Sequence, residues 1–496
     1  MQPDPEPADA SGARPWWRDA ICYQVYPLGF CGAPTHRPMP AGGDAPEEAA
    51  DVVHRLSRLL GWLDHLVSLS ANVLVLNPIF DSVSHGYDTL DHRRVDPRLG
   101  DAEDLEALIA ACHARGIKLV LDGVFNHLSA QHPIVRRASE HGPDSPEGAW
   151  IRWSGDHPYG FEGNADLVEL DLTNPAVQHE IAGVMNHWLD RGIDGWRLDA
   201  MYAAGADTWR PILEEVRTAH PAAWILGEVI HGDYAEITRQ SGANSLTQYE
   251  LWKAIWSSIA SSNLYELAHA LVRDQEFRDR APASASLTFL GNHDTTRIAS
   301  QLPDGRDLVI AVTLLALLPG IPCIYAADEF GASGIKEQRS GGDDAVRPVF
   351  PDSPADVGAG PVAEAGQAAD AVAPDEATFP QLALLKPEAT ERILEIHRRL
   401  FALRRREGWL SEARVDMPQA DLANTHGVIE LRSGNGSPVQ DHVRLALNLG
   451  EDPVPCPAGE MLLVASGAQV LDGTDVAVGL TEARLVPPHG LMLVRA

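Results

Sequence analysis

Along the chain, short unbroken apolar runs alternate with longer stretches in which apolar residues recur every three or four positions. Runs closed by Gly, Pro or a polar residue read as buried strands, and the longer stretches read as amphipathic helices. A first strand over 20–26 ends at Pro27, and a Gly/Pro-rich loop follows to about Pro46. Val52, Leu56, Leu59, Leu60, Leu63 and Leu66 predict a helix over 47–69, and a second strand over 73–76 stops at Asn77-Pro78. Helix 102–115, closed by Gly116, leads to strand 118–121. After an aperiodic stretch over 128–172, rich in His, Gly, Pro and Trp, come helix 175–191 and a fourth strand within 195–200. The rhythm continues through helix 207–219, strand 224–226, a weaker unit from about 245 with helical spacing over 249–273, strand 287–290, helix 307–318 and strand 321–325.

Eight such alternations predict an α/β fold, a (β/α)8 TIM barrel. A doubly wound open sheet would need a Gly-rich phosphate turn after an early strand, and the sequence has none. The excursion at 128–172 is too long for an ordinary connection, so a functional insertion after strand 3 is expected. From 339 to 379 the composition turns to Gly, Ala, Asp and Pro, and 355–374 is expected to be a mobile surface loop. Helix 387–406 then closes the barrel. Beyond it, short strands at 428–431, 443–447, 461–464 and 485–494 predict a C-terminal antiparallel β-sandwich. The expected division is a disordered start at 1–15, a barrel over 16–127 and 173–406, an insertion over 128–172 and a sandwich over 407–496.

Composition narrows the class of ligand. The content of 45% hydrophobic and 22% charged residues is that of a globular protein, and a net charge of −31 argues against nucleic acid and anionic membrane. A neutral or cationic small ligand remains. Residues 1–14 lack the basic start and apolar core of a signal peptide, and the best apolar run, 308–318, stops at Pro319-Gly320 before membrane-spanning length. A cytoplasmic location is expected. Cys22, Cys31, Cys112, Cys323 and Cys456 have no metal-binding or disulfide-framework spacing and read as buried thiols.

Barrel enzymes carry their chemistry at the C-terminal ends of the strands. Those ends hold Asp122, Asn126 and His127 (third), Arg197 and Asp199 (fourth), Glu228 (fifth), and His293 and Asp294 (seventh). Alternation along a strand points Arg197 and Asp199 the same way, so the guanidinium holds the carboxylate ionised. Alone, such a pair is usually a structural ion pair. Three carboxylates converging on one mouth are electrostatically costly, and a reaction that needs one ionised and one protonated accounts for them. Retaining glycoside hydrolysis is such a reaction. Asp199 suits the nucleophile, and Glu228, behind apolar Trp224-Ile225-Leu226, suits the acid/base. Asp294 suits the stabiliser of developing positive charge, while His127 and His293 suit donors to sugar hydroxyls. Tyr87 offers an aromatic face to a glucose ring.

The segments Asp122-Gly123-Val124-Phe125-Asn126-His127, Gly195-Trp196-Arg197-Leu198-Asp199, Gly227-Glu228-Val229 and Asn292-His293-Asp294 resemble, in order, the four signature segments of the α-amylase family of glycoside hydrolases. The resemblance implies Asp199 as nucleophile, Glu228 as general acid/base and Asp294 as transition-state stabiliser, with Arg197, His127, His293 and Tyr87 around the scissile glucose. It also implies that 128–172 is domain B and the tail domain C. With Ser84 where exo-acting α-glucosidases and oligo-1,6-glucosidases have an Asp, Ser84-His85-Gly86-Tyr87-Asp88-Thr89 is more similar to cyclomaltodextrinases, neopullulanases and maltogenic amylases, a group extending to cyclic maltosyl-maltose hydrolases. Leu167-Val168-Glu169-Leu170-Asp171 departs from that group's usual domain-B segment. His85 and Asp122, with Asp343 and Arg347 from the loop near the eighth strand, complete the expected sugar contacts.

The implied activity is hydrolysis of α-1,4, or also α-1,6, linkages in short or cyclic maltooligosaccharides through a glycosyl-Asp199 intermediate. Two alternatives stay open: a transglycosylase or glucosyl isomerase of the maltosyltransferase or trehalose synthase type, and a non-catalytic carbohydrate-binding or assembly protein. No cofactor or metal is expected. Calcium-binding relatives usually continue the fourth segment to Lys-His, whereas here Asp199 is followed by Ala200-Met201-Tyr202-Ala203, with Met201-Tyr202 in place of Lys-His. Asn126 is the residue left for calcium. The expected partner is a neutral oligosaccharide rather than nucleic acid or membrane, and a homodimer stays open.

Overall fold

Period-two alternation along eight parallel strands divides the apolar side chains into two layers. In the computed structural model, which describes residues 14–36, 51–339, 341–358, 379–434, 441–466, 469–472 and 485–496, these strands close into one barrel. They are β1 (Cys22–Val25), β2 (Val73–Leu76), β3 (Lys118–Gly123), β4 (Gly195–Leu198), β5 (Trp224–Gly227), β6 (Ser245–Thr247), β7 (Ala285–Phe289) and β8 (Ile321–Tyr325). Val73, Val75, Val120, Trp224, Leu226, Leu287 and Phe289 fill the barrel interior. Leu74, Leu76, Leu119, Leu121, Trp196, Leu198 and Ile225 face the surrounding helices. Gly195 accommodates its neighbour, since a Cβ there would come within 2.3 Å of the Trp224 carbonyl oxygen.

The inward rows place the chemistry. Beyond the apolar layers the next inward positions are Gln24, Asn77, Asp122, Arg197 and Asp199, and Glu228, all of them buried. Strand register aligns them: Arg197 pairs with Asp122 across β3–β4 and with Leu226 across β4–β5.

The insertion closes on itself. His127–Ser129 pairs antiparallel with Leu167–Glu169, and the Leu170 N–H donates to the Asn126 carbonyl at 2.9 Å. The two feet of the segment are thus tied to the end of β3. Within it lies a helix, Pro133–His141, whose start is satisfied by the His132 side chain.

The C-terminal region is a six-stranded antiparallel sheet including His426–Arg432, His442–Asn448, Glu460–Ser466 and Gly490–Arg495. A two-stranded ribbon, Val454–Pro455 with Leu485–Val486, packs on it through Val454 and Val486 against Ala446, Val464 and Met492.

Several expected elements differ. The helix expected over 47–69 is two short helices, Ser57–Leu60 and Leu63–Ser68, separated at Gly61, while 51–55 carries the exposed β-branched pair Val52-Val53 and is not helical. The helix expected over 249–273 is two, Tyr249–Ala260 and Leu264–Arg280, broken where Ser262 takes φ +51°. Strand 485–494 is split at Pro487-Pro488, with His489 at φ +46°. Helix Tyr234–Ser241 and the hairpin Phe80–Ser82/Thr89–Val95 were not expected, because neither has clear apolar periodicity. The expectations for 1–13, for the Gly/Pro-rich loop at 37–46 and for 359–374 lie outside the described residues. Cys22, Cys31, Cys112 and Cys323 are buried and Cys456 is half-buried.

Candidate active site

Arg197 is the hub. Its Nη1 donates to Asp122 Oδ2 at 2.5 Å and to Asp199 Oδ1 at 3.2 Å, and Nη2 lies 2.7 Å from Glu228 Oε1. The expected Arg197–Asp199 pair is present, but the guanidinium is divided among three carboxylates, because the register of β3, β4 and β5 brings all three beside it. Burial works against the Arg197 charge, but Asp122 and Glu228 hold it protonated. Burial, followed by the facing charge of Glu228, pushes the Asp199 carboxyl well above its ordinary range. Asp122 also moves up through burial, against the pull of Arg197. Uptake of a proton by this cluster relieves the like-charge repulsion.

Glu228 has two further donors. The Tyr249 hydroxyl donates to Oε1 at 3.0 Å, and the Ala200 N–H donates to Oε2 at 3.0 Å. Ala200, immediately after Asp199, has φ +45°, a left-handed conformation uncommon for a residue with a side chain. That turn aims its amide at Glu228. Asn292 Nδ2 in turn donates to the Tyr249 hydroxyl at 2.9 Å, linking the ends of β5 and β7.

Asp294 lies toward the open mouth: its side chain is 34% exposed, against 9% for Asp199 and Glu228. Its Oδ1 accepts from Arg347 Nη2 at 2.7 Å, and its Oδ2 lies 2.9 Å from His293 Nε2. Burial would raise this carboxyl, but His293, Arg347 and Arg197 outweigh it and hold Asp294 well below its ordinary range. The two ends of the site therefore differ electrostatically: neighbouring cations hold Asp294 down, whereas burial and Glu228 push Asp199 up.

The remaining expected residues are built into the walls. Asp122 is fully buried beneath Arg197, and its Oδ2 also accepts from Asn77 Nδ2 at 3.0 Å, so it positions other groups. Tyr87 directs its hydroxyl to Asp122, Asn77 and His293, and its ring stacks on His293 with centroids 5.4 Å apart. Burial lowers the His127 pKa to about 4, so its ring is neutral. His127 Nε2 donates to the Tyr87 carbonyl at 3.1 Å, leaving Nδ1 as the acceptor from Asn126 Nδ2 at 3.4 Å. His85 Nδ1 accepts from the Tyr87 N–H at 3.3 Å, and burial pushes the pKa of that ring down as well. Arg347 also donates through Nε to the His293 carbonyl at 2.9 Å, binds Asp343 at 3.2 Å and lies over the Tyr26 ring at 4.7 Å.

Gln24, Asn77 and Tyr249 complete the network but are missed in the sequence reading. Gln24 Nε2 donates to Asn77 Oδ1 at 3.1 Å and approaches His293 Nδ1 at 3.4 Å. Asn77 had a usable signal, a polar residue at the end of apolar strand β2. Tyr249 had none, since it opens a helical pattern. A cavity of about 330 Å³ lies between Gly232–Ala235 and the helices carrying Glu250 and Arg273, and it is lined by none of the strand-end carboxylates. Among the described residues, the one group of three His, Cys, Asp or Glu side chains close enough to share a metal ion is His54, Asp101 and Asp104. Asp101 and Asp104 there form the capping box of helix Ala102–His113.

In sequence and fold the chain is similar to known proteins. The model of the α-amylase catalytic domain matches residues 55–165 and 153–412. "Alpha-amylase 3" of Dictyoglomus thermophilum is 30% identical over 349 residues, 65% of this chain and 66% of the relative. A cyclomaltodextrinase of a Bacillus species is 29% identical, over 66% of this chain and 62% of the relative. The matches thus span less than two thirds of these relatives' length. The fold is shared with the ligand-free cyclic α-maltosyl-(1→6)-maltose hydrolase of Arthrobacter globiformis, at TM-score 0.70 and 23% identity, over 97% of this chain and all of that one.

Proposed function

The chain belongs to the α-amylase family, and from that premise we propose that it is a retaining α-glucoside hydrolase acting on short or cyclic maltooligosaccharides. The observation that carries this reading is the division of Arg197 among Asp122, Asp199 and Glu228, with Asp294 held separately by His293 and Arg347. Asp199 attacks the anomeric carbon while Glu228 delivers a proton to the departing glycosidic oxygen, leaving a glycosyl ester on Asp199. Water then attacks the same carbon, giving its proton to Glu228 and releasing the Asp199 carboxylate. Asp294, ionised, stabilises the positive charge that develops on the sugar ring in both steps. Tyr249 and the Ala200 amide fix the Glu228 carboxyl while its proton comes and goes.

The substrate class is supported by the names of relatives, which include a cyclomaltodextrinase, and by the Ser84–Asp88 motif. Both α-1,4 and α-1,6 linkages fall within the proposal. A cytoplasmic location is part of it, supported by the buried thiols; no helix among the described residues is long and apolar enough to cross a membrane. The test is a panel of cyclodextrins, cyclic maltosyl-maltose, maltotriose, pullulan and isomaltose with every product identified. Glucose and maltose from the maltose-linked substrates support the reading. Redistribution to longer chains indicates a sugar hydroxyl as acceptor in place of water, and binding without turnover indicates a carbohydrate-binding protein.

A further inference from the structure

Tyr202 and Glu162 join the turn after β4 to the insertion. Tyr202 stands three residues beyond Asp199 in the turn after β4, Glu162 lies in the insertion, and the phenol hydroxyl donates to Glu162 Oε1 at 2.7 Å. The insertion is clamped on the other side of that contact. Phe161 stacks on His127 with ring centroids 4.6 Å apart, and His127 is fixed by the Tyr87 carbonyl. Glu162 itself has φ +50°, although glycines stand at 160 and 163 beside it. A residue with a side chain stays in that conformation only where its surroundings hold it, and such positions cluster at functional sites. Burial, the hydrogen bond to Glu162 and the negative charges of Glu228 and Asp199 all push the Tyr202 phenol up, so it sits in the field of the reacting carboxylates.

We propose that the Tyr202–Glu162 hydrogen bond is a strap across one end of the substrate cleft, and that these two residues set the chain length the site accepts. The inference rests on the α-glucan hydrolase reading above and adds the specificity device. A glucan that ends before Tyr202 leaves the strap intact. A longer linear chain must break the hydrogen bond or bend around it, and that loss falls on long substrates alone. The strap thus favours short substrates by penalising long ones.

The experiment compares kcat/KM for maltotriose and maltoheptaose in the wild type and in Tyr202→Phe, Glu162→Gly and Glu162→Gln. Tyr202→Phe removes only the donor, and Glu162→Gly removes the acceptor at a φ that glycine tolerates. Both raise the maltoheptaose-to-maltotriose ratio by roughly threefold to tenfold, the worth of one hydrogen bond. Glu162→Gln keeps an acceptor oxygen and stays near the wild-type ratio. General loosening of the insertion would lower both values together and leave the ratio alone. A ratio unchanged in both Tyr202→Phe and Glu162→Gly overturns the strap while the hydrolase reading stands. A wild type that cleaves neither substrate overturns that reading, and the strap with it.

Discussion

Arg197 donates to Asp199 Oδ1 at 3.2 Å, the longest of the three contacts its guanidinium makes with carboxylates. Its planar fork spans Asp122 and Glu228 more closely, so its main task is to hold three buried acids in one arrangement. A lysine offers one point charge and cannot reproduce that geometry. Arg197→Lys is expected to lower kcat by about 100-fold or more. Arg197→Met, which leaves the acids uncompensated, is expected to destabilise the fold by about 3–5 kcal/mol. Steady-state kinetics and denaturant unfolding at neutral pH check the two variants.

The raised Asp199 carboxyl has a stability consequence. A carboxyl whose folded pKa lies above its unfolded value of about 3.9 contributes stability that is complete below that value and is lost as pH rises through the folded pKa. Asp199→Asn removes the titration. The variant is therefore expected to melt roughly 2 °C above the wild type at pH 7, with the gap closing as pH falls toward 4. Thermal melts across that range check the sign.

His489 ties the barrel to the C-terminal sheet, with Nδ1 2.8 Å from Asp307 Oδ1 and Nε2 3.2 Å from Glu451 Oε1. Burial opposes its charge, but Asp307 and Glu451 raise its pKa overall. Its contribution is fully present below the unfolded value of about 6.5 and is lost as pH rises through the higher folded one. His489→Gln is expected to lower stability by up to about 1 kcal/mol at pH 6, since Glu451 is solvated, and by less at pH 9. Denaturant midpoints at the two pH values read this difference.

Gly227 precedes Glu228, and a Cβ there would meet Met201 Sδ at 2.1 Å. Gly227→Ala must displace Met201, two residues beyond Asp199, and with it the turn that aims the Ala200 amide at Glu228. Methionine yields readily, so the cost in stability is expected to be about 1–3 kcal/mol. Displacement of the reacting groups is expected to cost at least roughly tenfold in kcat. A kcat equal to that of the wild type would separate Gly227 from the site.

The barrel and its carboxylates were legible because each strand is a short apolar run and each motif sits directly at its end. Asp122, Arg197, Glu228 and Asp294 needed only the rule that barrel strands end at the site. What escaped depends on contacts distant in sequence. Gln24 reaches Asn77 and His293, and Tyr249 opens a helix whose apolar spacing hides the hydroxyl resting on Glu228. The division of Arg197 among three acids follows from strand register, which no spacing along one strand reveals. The helix expected over 47–69 was misread because helical spacing continued across Gly61, whose Cβ position lies 3.0 Å from the Asp352 carbonyl oxygen.

In the proposed mechanism Asp199 carries the sugar between the two chemical steps. A fluorinated α-glucosyl fluoride, whose ring fluorine slows the second step, should leave one glycosyl adduct per chain, and peptide mass spectrometry should find it on Asp199 and absent from Asp199→Asn. An adduct on Glu228, or turnover that yields the inverted anomer with no adduct, would rule out Asp199 as the nucleophile of a retaining reaction.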